Sequence, residues 1–260
     1  MGIEGYLEYN FSYQGVSHPV YRRGQGPGVL IMHELYGLSP EVVRFADWIA
    51  EAGFTVFVPC LFGGAGDQYS QTKGVLSASM ACVRKSFSLL AKGQSSPITD
   101  WLRALGRSAF DELPGLGVGA IGMCLTGNFA LTLMVDEHLL APVLSQPSLP
   151  LSIGQSRKES LHISEENLRI VKKRIDEQGL KVLGLRFSED WLCPKERFVT
   201  LRRRLGSGFE GIEIDSSPGN VHGIDSKAHS VLTADLVDCD GHPTLQARDR
   251  VIAFLKERLL

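Results

Sequence analysis

The sequence is sparing with cysteine. Cys60, Cys82, Cys124, Cys193 and Cys239 are scattered over 260 positions and form no CxxC pair. An odd, dispersed set makes neither a disulfide framework nor a structural zinc site, and it points to thiols in a reducing cytosol. No apolar run approaches the ~20 residues that cross a bilayer. The opening stretch MGIEGYLEYNFSYQG has no basic start followed by an apolar segment, so a secretory signal is not expected there. Its Met-Gly start is followed by Tyr6 where a myristoylation signal needs Ser or Thr. Charge of one sign is also missing: 27 Lys and Arg stand against 29 Asp and Glu, a net charge of −2. There is thus no electrostatic reason to expect nucleic acid or an anionic membrane as partner. A cytoplasmic protein is expected.

What is present is ordinary globular composition, 43% hydrophobic and 22% charged, over a length that suits one large α/β domain. Apolar β-rich runs alternate with helical patterns. Strands are expected at 29–35, 54–59, 117–123, 141–146, 181–187 and 209–215. Helices are expected at 39–53, 75–91, 98–113, 128–139, 165–179, 194–206 and 243–259. Ser39, Pro40 and Gly53 mark the ends of the first helix. Strands separated by helices of this length pair in parallel, with helices on both faces of the sheet. The segment LEYNFSYQGVSHPVYRRG alternates instead like an antiparallel hairpin at the sheet edge. The reading is a single domain over 1–260, with a lid-like segment at about 61–115 and a local insertion at about 150–179.

The stretch GVGAIGMCLTG (117–127) runs from a strand into a helix with Cys124 at the junction. In an open parallel sheet, chemistry gathers at the carboxyl ends of the strands. A sharp strand-to-helix turn that presents a nucleophile requires small neighbours. Gly122 meets that demand, Thr126 meets it in part, and Gly127 can share it. The turn also sets Cys124 at a helix N-terminus, which favours a thiolate, and aims the Leu125 N–H at a developing oxyanion. The alternative is a small buried cysteine filling a core.

A cysteine nucleophile needs a base and a group that orients the base. Asp190 follows the strand at 181–187, with Glu189 competing for its role and helix capping near Pro194 as its alternative use. His222, His229 and His242 follow, the first two on one loop after the strand at 209–215. Spacing gives His229 only a slight edge over His222, and His242 reads as a turn former. Oxidation sensing through Cys124 would need a resolving thiol, for which only Cys60 or Cys193 could serve, through the fold.

Taken in order, HELYGL (33–38), PCLFG (59–63), GMCLTG (122–127), SQPSLP (145–150), RFSEDWLCPKERF (186–198) and AHSVLT (228–233) resemble the dienelactone hydrolase family of α/β-hydrolases. The resemblance implies an α/β-hydrolase fold and a triad of Cys124, His229 and Asp190, with no metal and no cofactor. It favours His229 over His222. It places Glu34 near the thiol, where the family's glutamate takes the thiol proton when substrate binds, and pairs the Leu35 N–H with that of Leu125 in the oxyanion hole. His33 reads as packed or hydrogen-bonded. The chain departs from the family at Thr126, where glycine is usual, and after His229, where no arginine follows. Arg84 and Arg103 lie in the broad region of the family's carboxylate-binding arginines without aligning to them. The expected activity is hydrolysis of a small ester or lactone through an acyl-thioester, by a monomer or small homo-oligomer. The alternatives are a thioesterase or acyl-transfer enzyme on the same triad, or a catalytically silent binding protein of the same fold.

Overall fold

The computed structural model describes residues 2–35, 37–62, 96–149 and 152–260. The chain opens with a hairpin, β1 (Leu7–Tyr13) and β2 (Val16–Gly24), followed by β3 (Gly28–Met32), α1 (Pro40–Glu51) and β4 (Thr55–Pro59). After α2 (Pro97–Glu112) come β5 (Val118–Met123), a single 3-10 turn at Cys124–Thr126, α3 (Gly127–Leu133) and β6 (Leu139–Ser145). The remainder is α4 (Gln155–Glu159), α5 (Glu165–Gln178), β7 (Val182–Phe187), α6 (Lys195–Leu205), β8 (Phe209–Ile214) and α7 (Pro243–Leu259). One eight-stranded sheet results, in the order β1-β2-β4-β3-β5-β6-β7-β8. β1 and β2 pair antiparallel, β2 meets β4 antiparallel, and every later pairing is parallel. The expected parallel sheet with an antiparallel edge hairpin is what forms.

Period-two alternation divides the strand side chains between two cores. Leu30, Met32, Ala120 and Leu144 face one apolar cluster, which includes Trp101, Leu102 and Leu105 of α2. Val29, Ile31, Ile121 and Val143 face the other, which includes Phe45 and Ile49 of α1 and Phe254 of α7. β5 is therefore buried along its whole length. Of the segment expected to be lid-like, residues 97–112 form this core helix, while 63–95, including the expected helix at 75–91, lie outside the described residues. Among the described residues no helix is long and apolar enough to cross a membrane.

Local chemistry accounts for the helix ends. Ser39 caps α1 by accepting from the Val42 N–H, and Ser164 caps α5 by accepting from the Asn167 N–H. Gly179 ends α5 in the left-handed conformation that a side chain would strain. The insertion thus contains α5 and the short α4, which helical patterning had not revealed. The helix expected over 128–139 stops at Leu133. Beyond it Arg174 of α5, buried, donates to the carbonyls of Met134, Asp136, Glu137 and Leu139. One guanidinium gathers carbonyls that a longer helix would have used, and the chain turns back into β6.

Arg174→Met keeps the stem of the side chain and strips those carbonyls of their donor. Urea unfolding should show a loss of about 1.5–3 kcal/mol, the range for hydrogen bonds that involve a charged group.

Candidate active site

The parallel register sets the site. Met32 of β3 is opposite Gly122 of β5, and Met123 is opposite Ser145 of β6. Glu34, Cys124 and Gln146 therefore leave the sheet side by side at its carboxyl edge. Asp190 follows β7, and His229 lies on the long connection from β8 to α7, at the same edge.

Cys124 has φ 53°, left-handed backbone for a residue with a Cβ. The surrounding glycines give the turn its room. A Cβ on Gly122 would lie 2.3 Å from the Thr126 carbonyl oxygen, and one on Gly127 would lie 2.6 Å from the Pro147 Cα. The spacing of the small residues is thus Gly-x-Cys-x-x-Gly. Thr126 is fully buried, and its hydroxyl accepts from the Met123 N–H (3.0 Å). The same Oγ1 lies 2.8 Å from the Met32 carbonyl oxygen, 2.9 Å from that of Met123 and 3.2 Å from that of His33. The departure from glycine at this position supplies a hydroxyl that ties the turn to the end of β3.

Asp190 Oδ2 is 2.7 Å from His229 Nδ1, and its Oδ1 accepts from the backbone N–H groups of Leu192 (2.9 Å) and Cys193 (3.2 Å). Those bonds shape the turn ahead of α6, whose N-cap Pro194 receives no side-chain cap. Glu189 is directed elsewhere, 3.5 Å from the Ser188 hydroxyl. Arg186, buried, braces the same turn by donating to the carbonyls of Cys193 and Ser188 and to Glu213. The backbone N–H groups of His229 and Ser230 both donate to Asp235 Oδ2 at 2.8 Å, fixing where the histidine leaves its loop. Burial of the ring by itself lowers the His229 pKa. The hydrogen bond to Asp190, together with the hydrogen bonding and charge of Cys124 against the ring, outweighs burial and raises it well above the ordinary histidine value.

His222 stands apart, edge-on to His242 at 5.4 Å between ring centroids, and His242 caps α7. His33 is wholly buried between two backbone segments. Its Nε2 accepts from the Leu61 N–H (3.0 Å), so the ring proton sits on Nδ1 and is donated to the Glu34 carbonyl (2.9 Å). Burial lowers its pKa to about 4.

Glu34 stands beside Cys124 at the sheet edge, and its hydrogen bonds go to other side chains. Among the described residues its carboxylate accepts from Ser230 Oγ (2.7 Å), Thr233 Oγ1 and Gln146 Nε2 (3.4 Å), and makes no hydrogen bond to the Cys124 thiol. Burial raises its pKa, against the lowering effect of the two hydroxyls and of His229. AHSVLT thus contributes Ser230 and Thr233 as well as its histidine. Ser148, in SQPSLP, sets its hydroxyl 3.2 Å from His229 Nε2. Sequence alone marks neither Ser148 nor the hydroxyls of AHSVLT as site residues, because their partners come from distant parts of the chain. Cys193 is buried behind Asp190, and burial pushes its thiol up to about 12. Arg103 is bonded to Asp136 by two contacts of 2.8 and 2.6 Å, ahead of β6 and so at the opposite end of the sheet from Cys124. Arg84 lies outside the described residues. The Leu125 N–H heads the turn after Cys124, and Leu35 follows Glu34 at the end of β3. Among the described residues no three His, Cys, Asp or Glu side chains converge as a metal site.

An open, mostly parallel sheet with a strained strand-to-helix turn after β5 and an acid after β7 that bonds a histidine after β8 is an α/β-hydrolase fold. Residues 16–258 match the model of the dienelactone hydrolase family, and the chain belongs to that family. Over 110 residues it is 26% identical to carboxymethylenebutenolidase from Pseudomonas sp. strain P51, a match spanning 42% of this chain and 44% of that relative's length. Among solved structures it resembles a protein assigned as a dienelactone hydrolase in Klebsiella pneumoniae, with a TM-score of 0.63 at 18% identity over 97% of this chain and 98% of that one. A dienelactone hydrolase-like promiscuous phosphotriesterase from metagenomic libraries aligns with a TM-score of 0.60 at 18% identity over 98% of each chain. At these identities the structural likenesses speak for the fold.

Thr126→Val preserves shape and removes the hydroxyl. Loss of the partner for the buried Met123 N–H should cost about 1–3 kcal/mol in chemical denaturation. His33 makes a separate prediction. A histidine held at about 4 when folded and near 6.5 when unfolded binds protons preferentially in the unfolded chain between those values. Its contribution to stability is complete above the unfolded value and declines as pH falls toward the folded one. Unfolding free energies measured across that window should decrease as the pH is lowered, and the His33 part of the slope should vanish in His33→Gln.

Proposed function

We propose that the protein is a carboxylic ester hydrolase that cleaves a small ester or lactone with Cys124 as nucleophile, His229 as acid and base, and Asp190 as the group that orients His229. The observation that carries this reading is the conjunction at one sheet edge of a cysteine held at positive φ and a histidine that lies against it while bonding a buried aspartate at 2.7 Å. Family membership supports the same class of chemistry.

The thiolate of Cys124 attacks the substrate carbonyl carbon, and the carbonyl electrons move to oxygen, where the N–H groups of Leu35 and Leu125 receive the charge. Collapse of this adduct forms the thioester and expels the alcohol oxygen, which takes the proton from His229 Nε2. The neutral Nε2 then takes a proton from water as the water attacks the thioester. The second adduct expels the thiolate beside an imidazolium, which restores the starting state. Asp190 keeps the proton on Nδ1 throughout. Glu34 acts from behind the histidine: it holds Ser230 and Thr233, and through them the segment that carries His229. Groups of this chain meet each charge of the cycle: His229 faces the thiolate, Asp190 the imidazolium, and two backbone N–H groups the oxyanion. We place this activity in a single domain in the reducing cytosol, which keeps the nucleophile a thiol.

Hydrolysis of a panel of aryl esters and simple lactones tests the reading. Cys124→Ala and His229→Gln should each lower kcat/KM by roughly 10³-fold or more, as expected for members of a catalytic unit. Mass spectrometry of rapidly quenched wild-type enzyme should find the acyl group on the peptide containing Cys124. Full activity in Cys124→Ala would overturn the assignment.

A further inference from the structure

β1 is the outermost strand of the sheet, with β2 on one side and, among the described residues, no strand on the other. Its hairpin decides which backbone groups it leaves open. Gln14 (φ 48°) and Gly15 (φ 80°) form the two-residue turn between Tyr13 and Val16, which makes Tyr13 and Val16 a hydrogen-bonded pair. By alternation Phe11–His18, Tyr9–Val20 and Leu7–Arg22 are the other bonded pairs. Pro19 agrees with this parity. It stands opposite Asn10, it has no N–H, and its carbonyl accepts from the Cys60 N–H at the end of β4, away from β1. The N–H and C=O groups of Glu8, Asn10 and Ser12 therefore point out from the sheet.

An open edge of this kind is a template for a further strand, and proteins blunt it with proline, lysine, a bulge or a very short strand. The seven residues of β1 include neither proline nor lysine, and their register with β2 is unbroken. β8, the opposite edge, carries charge instead: Glu210 is bonded to Arg250 and Glu213 to Arg202. The side chains of β1 describe what fits it. Leu7, Tyr9, Phe11 and Tyr13 share one face, on which Phe11 meets Trp101 of α2 edge-on, and Glu8, Asn10 and Ser12 share the other. Leu7 is 64% exposed and Tyr13 39%.

A second copy of β1, antiparallel and related by a two-fold axis at Asn10, uses every open group. Asn10 then pairs with the partner's Asn10 and Glu8 with the partner's Ser12, each pair exchanging two hydrogen bonds. On the apolar face Tyr9 meets the partner's Phe11 and Leu7 meets the partner's Tyr13, each contact occurring twice by symmetry. Aromatic cross-strand pairs of this kind stabilise sheets, and no like charges stand opposite one another. An axis at Glu8 would set two carboxylates face to face, and an axis at Ser12 would run the partner strand into the hairpin turn. A groove of about 800 Å³, lined by Phe11 and Tyr13 and by Arg103 and Arg107 of α2, lies where the partner's Tyr9 and Leu7 would project.

We propose that the protein forms a two-fold dimer in which β1 pairs antiparallel with the same strand of a second copy, centred on Asn10, so that two sheets become one. The pairing is isologous and closes at two chains.

Sedimentation equilibrium on the full chain over a range of concentrations tests this, and the limiting mass should be twice the 28.5 kDa of one chain. Asn10→Pro removes the N–H at the axis without taking a bond from the β1–β2 ladder, and Asn10→Asp sets two carboxylates opposite each other at an exposed position. Each should raise the dimer dissociation constant about tenfold or more and leave the melting curve of the monomer in place. High salt should recover association in Asn10→Asp, where repulsion is screened, and not in Asn10→Pro. Amide exchange needs no variant: the N–H groups of Glu8, Asn10 and Ser12 should be protected in concentrated protein and open on dilution. A chain that stays monomeric at every concentration overturns the proposal and leaves the edge to a different strand or to none. A dimer that both variants form with wild-type affinity overturns it too, since another face must then be the interface. Species that grow beyond two chains would mean pairing of β1 with β8, an open head-to-tail contact, and would equally overturn it.

Discussion

The constraint on which the rest depends is the space at the end of β5. The chain passes from β5 to α3 through a single 3-10 turn, with Cys124 at a positive φ and the Thr126 carbonyl against Gly122. That close approach is possible only where a Cβ is missing. The next turn of chain rests on Pro147, which demands glycine again at 127. A strained backbone of this kind persists only when its surroundings over-determine it. Here the Thr126 hydroxyl joins the turn to the last residues of β3, and the Ser148 N–H holds the Cys124 carbonyl. The strain is thus carried by neighbours on both sides of β5.

From that point the site is assembled by register. Parallel strands deliver their carboxyl ends to one edge, so residues far apart in the chain arrive as neighbours without any long-range contact having to select them individually. Glu34 and Cys124 each lie two residues past a paired position on β3 and β5. The acid and the histidine come from connections that have no regular structure of their own around the functional residue. Each is therefore held by side chain to backbone bonds: Asp190 by the N–H groups of Leu192 and Cys193, His229 by Asp235. Buried arginines then complete the support, Arg186 behind Asp190 and Arg197 behind Pro147. These charges are tolerated in the interior because their donors meet carbonyl oxygens or a carboxylate.

Much of the fold was legible because it rests on local signals. Apolar runs, helical periodicity, Ser39 and Ser164 caps and the terminal Gly179 act within a few residues of themselves, and the corresponding elements formed close to where they were expected. The end of α3 was not legible, since the group that stops it, Arg174, comes from a helix some 40 positions later. The positions of Cys124 and Asp190 just past strand ends were readable from the apolar runs before them. His229 was separated from His222 only by likeness to a family, because two histidines on one loop have the same local pattern. In the folded chain one bonds Asp190 and the other meets His242.

The amino-acid sequence by itself determined the alternation of strands and helices, the parallel sheet, and a cysteine with small neighbours at a strand end, since each follows from periodicity and from the absence of a side chain at particular positions. Only the tertiary structure decided what faces the reactive groups. It turned Glu34 toward Ser230 and Thr233, gave Thr126 a use where glycine was expected, removed Arg103 to the far end of the sheet, and set Ser148 against His229. Hydrogen bonds between side chains on separate connections depend on where strand register delivers each chain segment and on the direction each side chain leaves it, and neither is written in any local stretch of the chain.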